Sequence, residues 1–314
     1  MKNPMRLILI SIIVLHCVSS SRALAGTFED AEKAFEGGDF KKAYELSLPL
    51  AEQGDEEAQN MVGWLYLTGL GISKNHAEAI KWIRNAAEQG SVAAQNNLGE
   101  MYFSGLGVPN DDAEAIRWYQ KAAAKGYAHA QHNLGAMYQE GRGVTKSYSE
   151  ALNWYRRAAD QGYVKSQTAI GKMYYAGLGL TKDYVKALEW FQKAAVKEEI
   201  GSDEAQYAIG LMNILGQGVN ENPTEAVKWF FKAAEKGHGE ALDSISRLSK
   251  DNIEGYKWAI LAAERGHKKA EKILESYRKV LSPAEAERAQ QAAREWVDAH
   301  AKAFKAPPGV MLIK

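Results

Sequence analysis

The sequence predicts an all-α protein built as a solenoid of helix-turn-helix repeats, and two observations carry that prediction. A glycine-containing phrase recurs five times, as NMVGWLYLTGLGI (60–72), NNLGEMYFSGLGV (96–108), HNLGAMYQEGRGV (132–144), TAIGKMYYAGLGL (168–180) and YAIGLMNILGQGV (207–219). Its first glycines are 36, 36, 36 and 39 residues apart, a period typical of stacked supersecondary units. The second observation is an alanine- and tryptophan-rich phrase, such as AIKWIRNAAEQG (79–90), that follows the glycine phrase and supplies the second helix of each repeat.

Residues 1–25 are predicted to be a secretory signal peptide, cleaved after Ala25. Two basic residues precede an apolar run over 7–15 that is too short to cross a bilayer, and an Ala-x-Ala site follows it. The alternative is a lipoprotein signal that uses Cys17, although His16 stands where a small residue is expected. Because Cys17 is the single cysteine of the chain, the mature protein would be held together by packing without disulfides.

The composition is that of a globular protein with no excess of basic charge. Hydrophobic residues make up 46% of the chain, which is enough for a sizeable core. Lys and Arg number 39, as do Asp and Glu, so no basic field is available to hold nucleic acid. We therefore expect no nucleic-acid binding. We also expect no transmembrane span, because no apolar run after residues 7–15 is long enough to cross a bilayer.

Residues that cap helices predict the boundaries of the second helices. Before each of these helices stands a side chain that can accept from free N–H groups: Asp39, Asn75, Asp111, Ser147, Asp183, Asn222 and Asp251. Five of the seven have Glu three residues later, which predicts capping boxes. The helices are predicted to end at Gly54, Gly90, Gly126, Gly162, Gly237 and Gly266.

The Gly-x-Gly within the recurring phrase, such as Gly105 and Gly107, is predicted to be a loop between helices and not a phosphate site. Dinucleotide and P-loop motifs follow a strand and carry further glycines or Gly-Lys-Ser/Thr, whereas this motif follows a helix and recurs. Gly99 is different, because glycine inside a helix is less stable than alanine by roughly 1 kcal/mol. Its recurrence predicts that two helices approach closely there, with the Ala86–Ala87 pair and its equivalents as the matching surface.

The repeat A-x-A-Q-x-N-L-G-x-M-Y-x-x-G-x-G-V, continued by D-x-x-x-A-x-x-W-Y-x-K-A-A-x-x-G, resembles the Sel-one-like repeat (SLR), a relative of the tetratricopeptide repeat. The resemblance covers about residues 55–266. It implies a right-handed α-solenoid that works as a protein-interaction scaffold, often in bacterial envelope or signalling systems. The chain lacks the disulfides of the cysteine-rich secreted branch. It also has Asn213 in place of a tyrosine and an insertion within 197–203, which predicts a bend or looser packing there.

We therefore divide the chain into segments with separate expectations. Residues 1–25 are the signal peptide, 26–54 an N-terminal half-repeat cap and 55–266 the repeats. The solenoid as a whole is expected to have about five full repeats and a degenerate unit at each end. Residues 267–304 are predicted to form C-terminal capping helices, the last of which starts at Ser282 with a capping box. Residues 305–314 are predicted to be a flexible tail.

Positions that vary among the repeats predict a partner-binding stripe on the first helices. Their i, i+4, i+7 spacing places them on one helix face. By the resemblance, this face lines the concave groove, where exposed aromatic side chains would bind a protein or peptide. The alternative is that neighbouring repeats half-cover these side chains. The predicted binding residues are Asn60, Trp64, Leu67, Asn96, Glu100, Phe103, His132, Gln139, Lys172, Tyr175, Tyr207 and Leu211.

The sequence favours a scaffold over an enzyme. Its Ser-x-x-Lys at 276–279 has no companion Ser-Asp-Asn or Lys-Thr-Gly, which a serine β-lactamase would need. His129 and His132 are spaced i, i+3 but have no third ligand nearby, so we expect no metal site and no cofactor. The leading hypothesis is a non-catalytic periplasmic or secreted scaffold. The alternative is a cell-envelope enzyme or glycan-binding protein that acts on peptidoglycan-related ligands, an activity linked to cysteine-rich members of the family.

Overall fold

The computed structural model describes residues 27–196, 201–264, 266–267 and 270–299, and these residues form sixteen α-helices and no strand. The all-α prediction is therefore confirmed. The predicted signal peptide (1–25) and tail (305–314) lie outside the described residues. In chain order the helices are α1 Phe28–Glu36, α2 Phe40–Glu52, α3 Glu56–Thr68, α4 His76–Gln89, α5 Val92–Ser104, α6 Asp112–Ala124, α7 Ala128–Glu140, α8 Tyr148–Asp160, α9 Val164–Ala176, α10 Tyr184–Ala195, α11 Ser202–Leu215, α12 Pro223–Glu235, α13 Gly239–Leu248, α14 Asn252–Glu264, α15 Ala270–Arg278 and α16 Pro283–Ala299.

The chain forms two compact units, with the division between Thr145 and Lys146. In unit 1, which contains α1–α7, every helix packs against the next one in the chain. The N-terminal segment, expected as half a repeat, forms the two helices α1 and α2. The first helices of neighbouring repeats, α3 and α5, also touch each other, so that consecutive hairpins share a core.

Unit 2 contains α8–α16 and ends in two helices that lie on the last repeat. Both α15 and α16 pack against α14. The indole of Trp296 in α16 meets the buried Trp258 of α14 edge-on, with ring centroids 5.5 Å apart. Ala293 on the same helix is buried in this core, so α16 covers the apolar face that α14 would otherwise present.

All seven predicted N-cap side chains accept a backbone N–H from the helix that follows, which confirms that prediction. The capping boxes predicted for Glu78, Glu114 and Glu225 are wrong. The backbone N–H of Asn75, which Glu78 was expected to bind, already donates to the carbonyl of Tyr66 at 2.9 Å. The Glu78 carboxylate pairs instead with Lys81 at 3.3 Å. The box at Ser282 and Glu285 is present.

The glycines of the inter-helix loop are required by the neighbouring repeat. Gly107 has φ +76, in the left-handed region that favours glycine. A Cβ on this residue would lie 2.8 Å from the carbonyl oxygen of His76, the first residue of α4. Gly143 meets the carbonyl oxygen of Asp112, at the start of α6, in the same way. Each loop thus rests on the start of the preceding second helix, and this explains the recurring glycine without a phosphate.

The helical glycines mark close approaches, as predicted, but the residue that they meet is not the alanine pair. A Cβ on Gly99 would lie 2.7 Å from two ring carbons of Tyr119, and one on Gly171 would lie equally close to the ring of Phe191. In four repeats the large side chain that follows the tryptophan lies over the helical glycine and is buried: Ile83, Tyr119, Phe191 and Phe230. The expectation that the alanine pairs form the surface facing these glycines is therefore wrong.

The fifth full repeat does not pack loosely at Asn213. This side chain is buried and its amide donates to the carbonyl of Ile209 at 2.9 Å. Its backbone carbonyl accepts from Asn222, the bond that the tyrosine makes in other repeats. The prediction of looser packing at Asn213 is therefore wrong, and residues 197–200 of the insertion lie outside the described residues.

Candidate partner-binding surface

The structure divides the twelve predicted binding residues into a buried and an accessible group. Asn60, Trp64, Leu67 and Asn96 are 1%, 2%, 6% and 4% exposed, so the expectation that they face solvent is wrong. The other eight are half-buried or exposed: Glu100, Phe103, His132, Gln139, Lys172, Tyr175, Tyr207 and Leu211. Four of the twelve residues are therefore covered by other parts of the protein, as the alternative expected, although the cover of Trp64 comes from the N-terminal hairpin.

Trp64 is buried because the N-terminal hairpin lies over α3. Its indole meets the ring of Phe35 in α1 edge-on, with centroids 5.0 Å apart. It shares a cluster with Met61 and Leu65. Leu67 joins the core of the following hairpin, next to Leu98. The first repeat is therefore not an open end of the stack, since α1 and α2 supply the surface that covers it.

Asn60 and Asn96 are buried because they connect neighbouring first helices. The amide of Asn97 donates to Asn60 Oδ1 at 2.9 Å, and the amide of Asn133 donates to Asn96 Oδ1 at 3.1 Å. The same bond thus links α3 to α5 and α5 to α7. A position that varies among repeats can therefore make contacts within the stack. The hydrogen bond is needed because a buried polar atom without a partner would destabilise the fold.

In unit 1 two of the accessible residues of the stripe, Glu100 and Phe103, make contacts within the protein. The Glu100 carboxylate accepts from the hydroxyl of Tyr119 at 2.9 Å, and burial together with this carboxylate raises the pKa of Tyr119 well above its ordinary value. The guanidinium of Arg142 lies 3.8 Å from the ring centroid of Phe103. It also makes two hydrogen bonds to the carboxylate of Asp112, at 2.6 and 3.0 Å.

Arg142 is a residue of this surface that the sequence analysis missed. A signal existed, because the middle position of the Gly-x-Gly is Leu70, Leu106 and Leu178 in three other repeats. An arginine at this position, where other repeats have leucine, indicates a polar or cation–π contact in place of an apolar one. It covers the face of Phe103 and leaves less of that ring for a partner.

In unit 2 the accessible residues lie on two adjacent first helices, α9 and α11. Lys172 is exposed and pairs with Glu204 across the two helices, and Thr168 donates to the carbonyl of Gly201 at 3.3 Å. Tyr175 and Leu211 are half-buried. We call Lys172, Tyr175, Tyr207 and Leu211 the α9–α11 surface.

The aromatic members of the α9–α11 surface are held by their own rigid contacts. The ring of Tyr175 meets that of Tyr184 edge-on at 5.3 Å between centroids. Tyr207 lies between Phe230, at 5.5 Å, and His238, at 4.6 Å. Burial is the main reason why the pKa of Tyr207 is raised. Both rings are thus fixed in place while part of each remains accessible.

The tryptophans of the second helices offer less free aromatic surface than the tyrosines. The ammonium of Lys121 lies 3.7 Å from the ring centroid of Trp118, and Lys232 lies 4.1 Å from that of Trp229. Such a cation is attracted to the ring face and covers it. The Trp118 side chain also packs against a core shared by two repeats.

The motifs considered for catalysis and metal binding have ordinary structural contacts. The hydroxyl of Ser276 donates to the carbonyl of Ile273 on its own helix at 2.6 Å. His129 stacks on Tyr127, with ring centroids 5.2 Å apart. Within the part of the chain that the structure describes, no three His, Cys, Asp or Glu side chains are grouped to hold a metal ion. None of the described helices combines the length and apolarity that a bilayer span requires.

Comparison with known proteins identifies the repeat. A family model described as Sel1 repeat matches residues 56–91, 92–127, 128–163, 164–195, 203–238 and 242–267. The crystal structure of a Sel1 repeat protein from Oxalobacter formigenes has 32% sequence identity and a TM-score of 0.64, covering 82% of this chain and 98% of its own. No curated protein matches the chain.

Two further solved structures are similar at lower levels. One is c5321, a protective antigen present in uropathogenic Escherichia coli strains displaying an SLR fold, with 25% identity and a TM-score of 0.48 over 91% of this chain and 72% of its own. The other is the immunity protein Pa5087 from Pseudomonas aeruginosa, with 20% identity and a TM-score of 0.46 over 74% of this chain and 83% of its own.

Proposed function

Because the chain belongs to the Sel1 repeat family, we propose that it is a non-catalytic scaffold that binds a protein or peptide partner. Proteins with this repeat are commonly protein-interaction scaffolds and typically not enzymes. The α9–α11 surface is the part of the chain that supports this function best, and the partner would lie along the accessible faces of these two helices.

The observation that carries the proposal is the set of accessible tyrosine and leucine side chains on a preformed surface. Tyr175, Tyr207 and Leu211 stand on helices that are joined by the Lys172–Glu204 ion pair. Tyrosine is enriched among residues that dominate binding energy, since it combines apolar area with a polar group. Rings already fixed by packing lose little conformational entropy when a partner binds.

The chemistry of this surface favours a partner with apolar or aromatic side chains. An extended peptide that crosses α9 and α11 would bury the outer parts of Tyr175 and Leu211. It would find hydrogen-bond donors and acceptors in the hydroxyl of Tyr207 and in the Lys172–Glu204 pair. Interfaces of this kind have an apolar centre and a polar rim.

The test compares two variants that carry the same number of new charges. Tyr175→Glu with Leu211→Glu places two carboxylates on the α9–α11 surface. The control, Val185→Glu with Val280→Glu, places two carboxylates at positions that are 56% and 63% exposed and lie outside this surface. Trp64→Glu is unsuitable as a probe, because Trp64 is buried and its replacement would test folding.

Both variants and the unchanged protein, as residues 26–314, serve as baits for affinity capture from an envelope extract of the source organism, followed by mass spectrometry. Circular dichroism first establishes that the three baits have the same helix content. A protein captured by the unchanged bait and by the control, and lost from the α9–α11 variant, supports the proposal. The same capture by all three baits would place the binding surface elsewhere.

Export to the periplasm or the exterior belongs to the same proposal. Its support is the sequence alone, in which a basic start, a short apolar run and an Ala-x-Ala site precede Gly26. We expect the exported protein to begin at Gly26. The intact mass of protein isolated from the periplasmic fraction checks this, and a mass that includes residues 1–25 would contradict it.

A further inference from the structure

One helix of unit 2 begins with a cap that can change its protonation state. His238 precedes α13, and its Nδ1 accepts the backbone N–H of Ala241 at 3.3 Å. At the equivalent place in the first two repeats, Asp55 and Ser91 accept from Ala58 and Ala94. Histidine differs from these residue types because an imidazole ordinarily changes its charge near neutral pH. The N-cap role requires that Nδ1 of His238 carries no proton.

The same nitrogen also lies close to the carboxylate of Glu240, and a hydrogen bond to this carboxylate requires that Nδ1 carries a proton. Glu240 Oε2 lies 3.4 Å from Nδ1 of His238. A carboxylate only accepts hydrogen bonds, so Nδ1 can bond to it only as an N–H donor. Nδ1 therefore has two exclusive partners, the Ala241 amide when it is unprotonated and the Glu240 carboxylate when it is protonated.

The charged groups around the ring come from three helices. Asp203 and Glu204 face it from α11, Lys172 faces it from α9, and Glu240 is on α13 itself. Burial lowers the pKa of His238 and outweighs the opposing effect of the three carboxylates. At neutral pH the imidazole is therefore uncharged, which suits the capping contact.

The ring also touches the α9–α11 surface and lies at the first turn of its own helix. It stacks on Tyr207 with centroids 4.6 Å apart and planes 26° from parallel. The first residue of α13 is Gly239, which favours the unfolded chain more than other residues do. A positive charge beside the N-terminus of a helix opposes the helix dipole. The first turn of α13 thus depends on the neutral cap.

We propose that His238 is a proton-operated cap of α13: it holds the Ala241 amide when neutral, and on protonation it turns to Glu240 and releases the first turn. The device is independent of any partner, because every group in it belongs to this chain. Acidification would loosen the start of α13 next to Tyr207 and leave the other caps unchanged.

Nuclear magnetic resonance of the full chain with labelled histidine tests the proposal. The chain has 7 histidines, and the His238→Asn variant assigns the signal of interest. The ¹⁵N shift of Nδ1 reports whether this atom is an acceptor or carries a proton. Hydrogen exchange of the Ala241 amide, corrected for the intrinsic effect of pH, reports the cap. We expect exchange to accelerate about fivefold as His238 becomes protonated, the ratio that corresponds to loss of a helix cap.

Two variants make the test specific. Asn caps helices without titrating in this range, so His238→Asn should hold the Ala241 amide equally at all pH values. Glu240→Gln removes the carboxylate that stabilises the protonated ring, so the midpoint of the His238 titration should move to lower pH. The proposal is overturned if Ala241 stays equally protected while His238 titrates, or if Glu240→Gln leaves that midpoint unchanged.

Discussion

The contact between Gly171 and Phe191 gives a quantitative test of how the repeats are packed. A Cβ on Gly171 would lie 2.7 Å from Cδ1 and Cε1 and 3.1 Å from Cζ of the phenylalanine ring. Carbon atoms pack at roughly 3.5–4.0 Å, so the substitution Gly171→Ala forces the two helices or the ring to move. Phe191 is 2% exposed and cannot swing into solvent.

Two effects of Gly171→Ala oppose each other. Alanine stabilises a helix by roughly 1 kcal/mol relative to glycine. Overpacking of a close-packed core destabilises by about 1–3 kcal/mol. Since two ring carbons overlap with the new methyl group, we expect overpacking to win and the variant to lose about 1 kcal/mol of unfolding free energy.

A double-mutant cycle with Phe191→Leu separates the contact from the helix preference. The smaller leucine leaves space for the methyl group, so the double variant should be more stable than the sum of the single effects by about 1–2 kcal/mol. The helix-propensity contribution appears in both alanine variants and cancels in this coupling. Urea unfolding followed by far-UV circular dichroism measures the four proteins. Additive effects within about 0.5 kcal/mol, or a stabilising Gly171→Ala, would refute the close contact.

Three further substitutions have expected outcomes. Trp64→Glu should lower the unfolding free energy by about 4 kcal/mol or more in urea, because it places a carboxylate in the cluster beside Phe35; a folded variant of ordinary stability would contradict the burial. Gly143→Ala should lower it by about 2 kcal/mol in thermal unfolding, since φ is +67 and a Cβ would lie 2.7 Å from the carbonyl oxygen of Asp112. The pKa of His238 is lower in the folded chain than its ordinary 6.5, so the unfolded chain binds the proton first as pH falls. Stability should then decrease below about pH 6.5 and level off once the folded state is also protonated, and His238→Asn should flatten that change in urea titrations at several pH values.

The fold could be predicted from the sequence because its signals are local. An N-cap such as Asn75 and a left-handed glycine such as Gly90 act within one turn of their helix, so the residue types alone indicate the boundaries. The predicted capping boxes are wrong because of a contact with a residue outside the helix. The N–H that Glu78 would bind is used by the carbonyl of Tyr66, a contact of the inter-helix loop.

Burial on the candidate surface could not be predicted, because it depends on residues one repeat away. The helix period places Trp64 and Phe103 on one face but does not indicate what covers them. For Trp64 the cover is Phe35, on a helix where half a repeat was expected. For Phe103 it is Arg142, from the loop of the next repeat.

Variation among repeats has two physical sources, and the structure shows how to separate them. Asn60 and Lys172 occupy variable columns, and each bonds to a residue of the following repeat, Asn97 and Glu204. The contact within the stack accounts for the residue at such a position without an external ligand. Tyr175, in contrast, packs on Tyr184 of its own repeat and keeps an accessible side. It is therefore the position on α9 whose variation bears most directly on a partner, and this is why the capture experiment changes Tyr175 and leaves Lys172 in place.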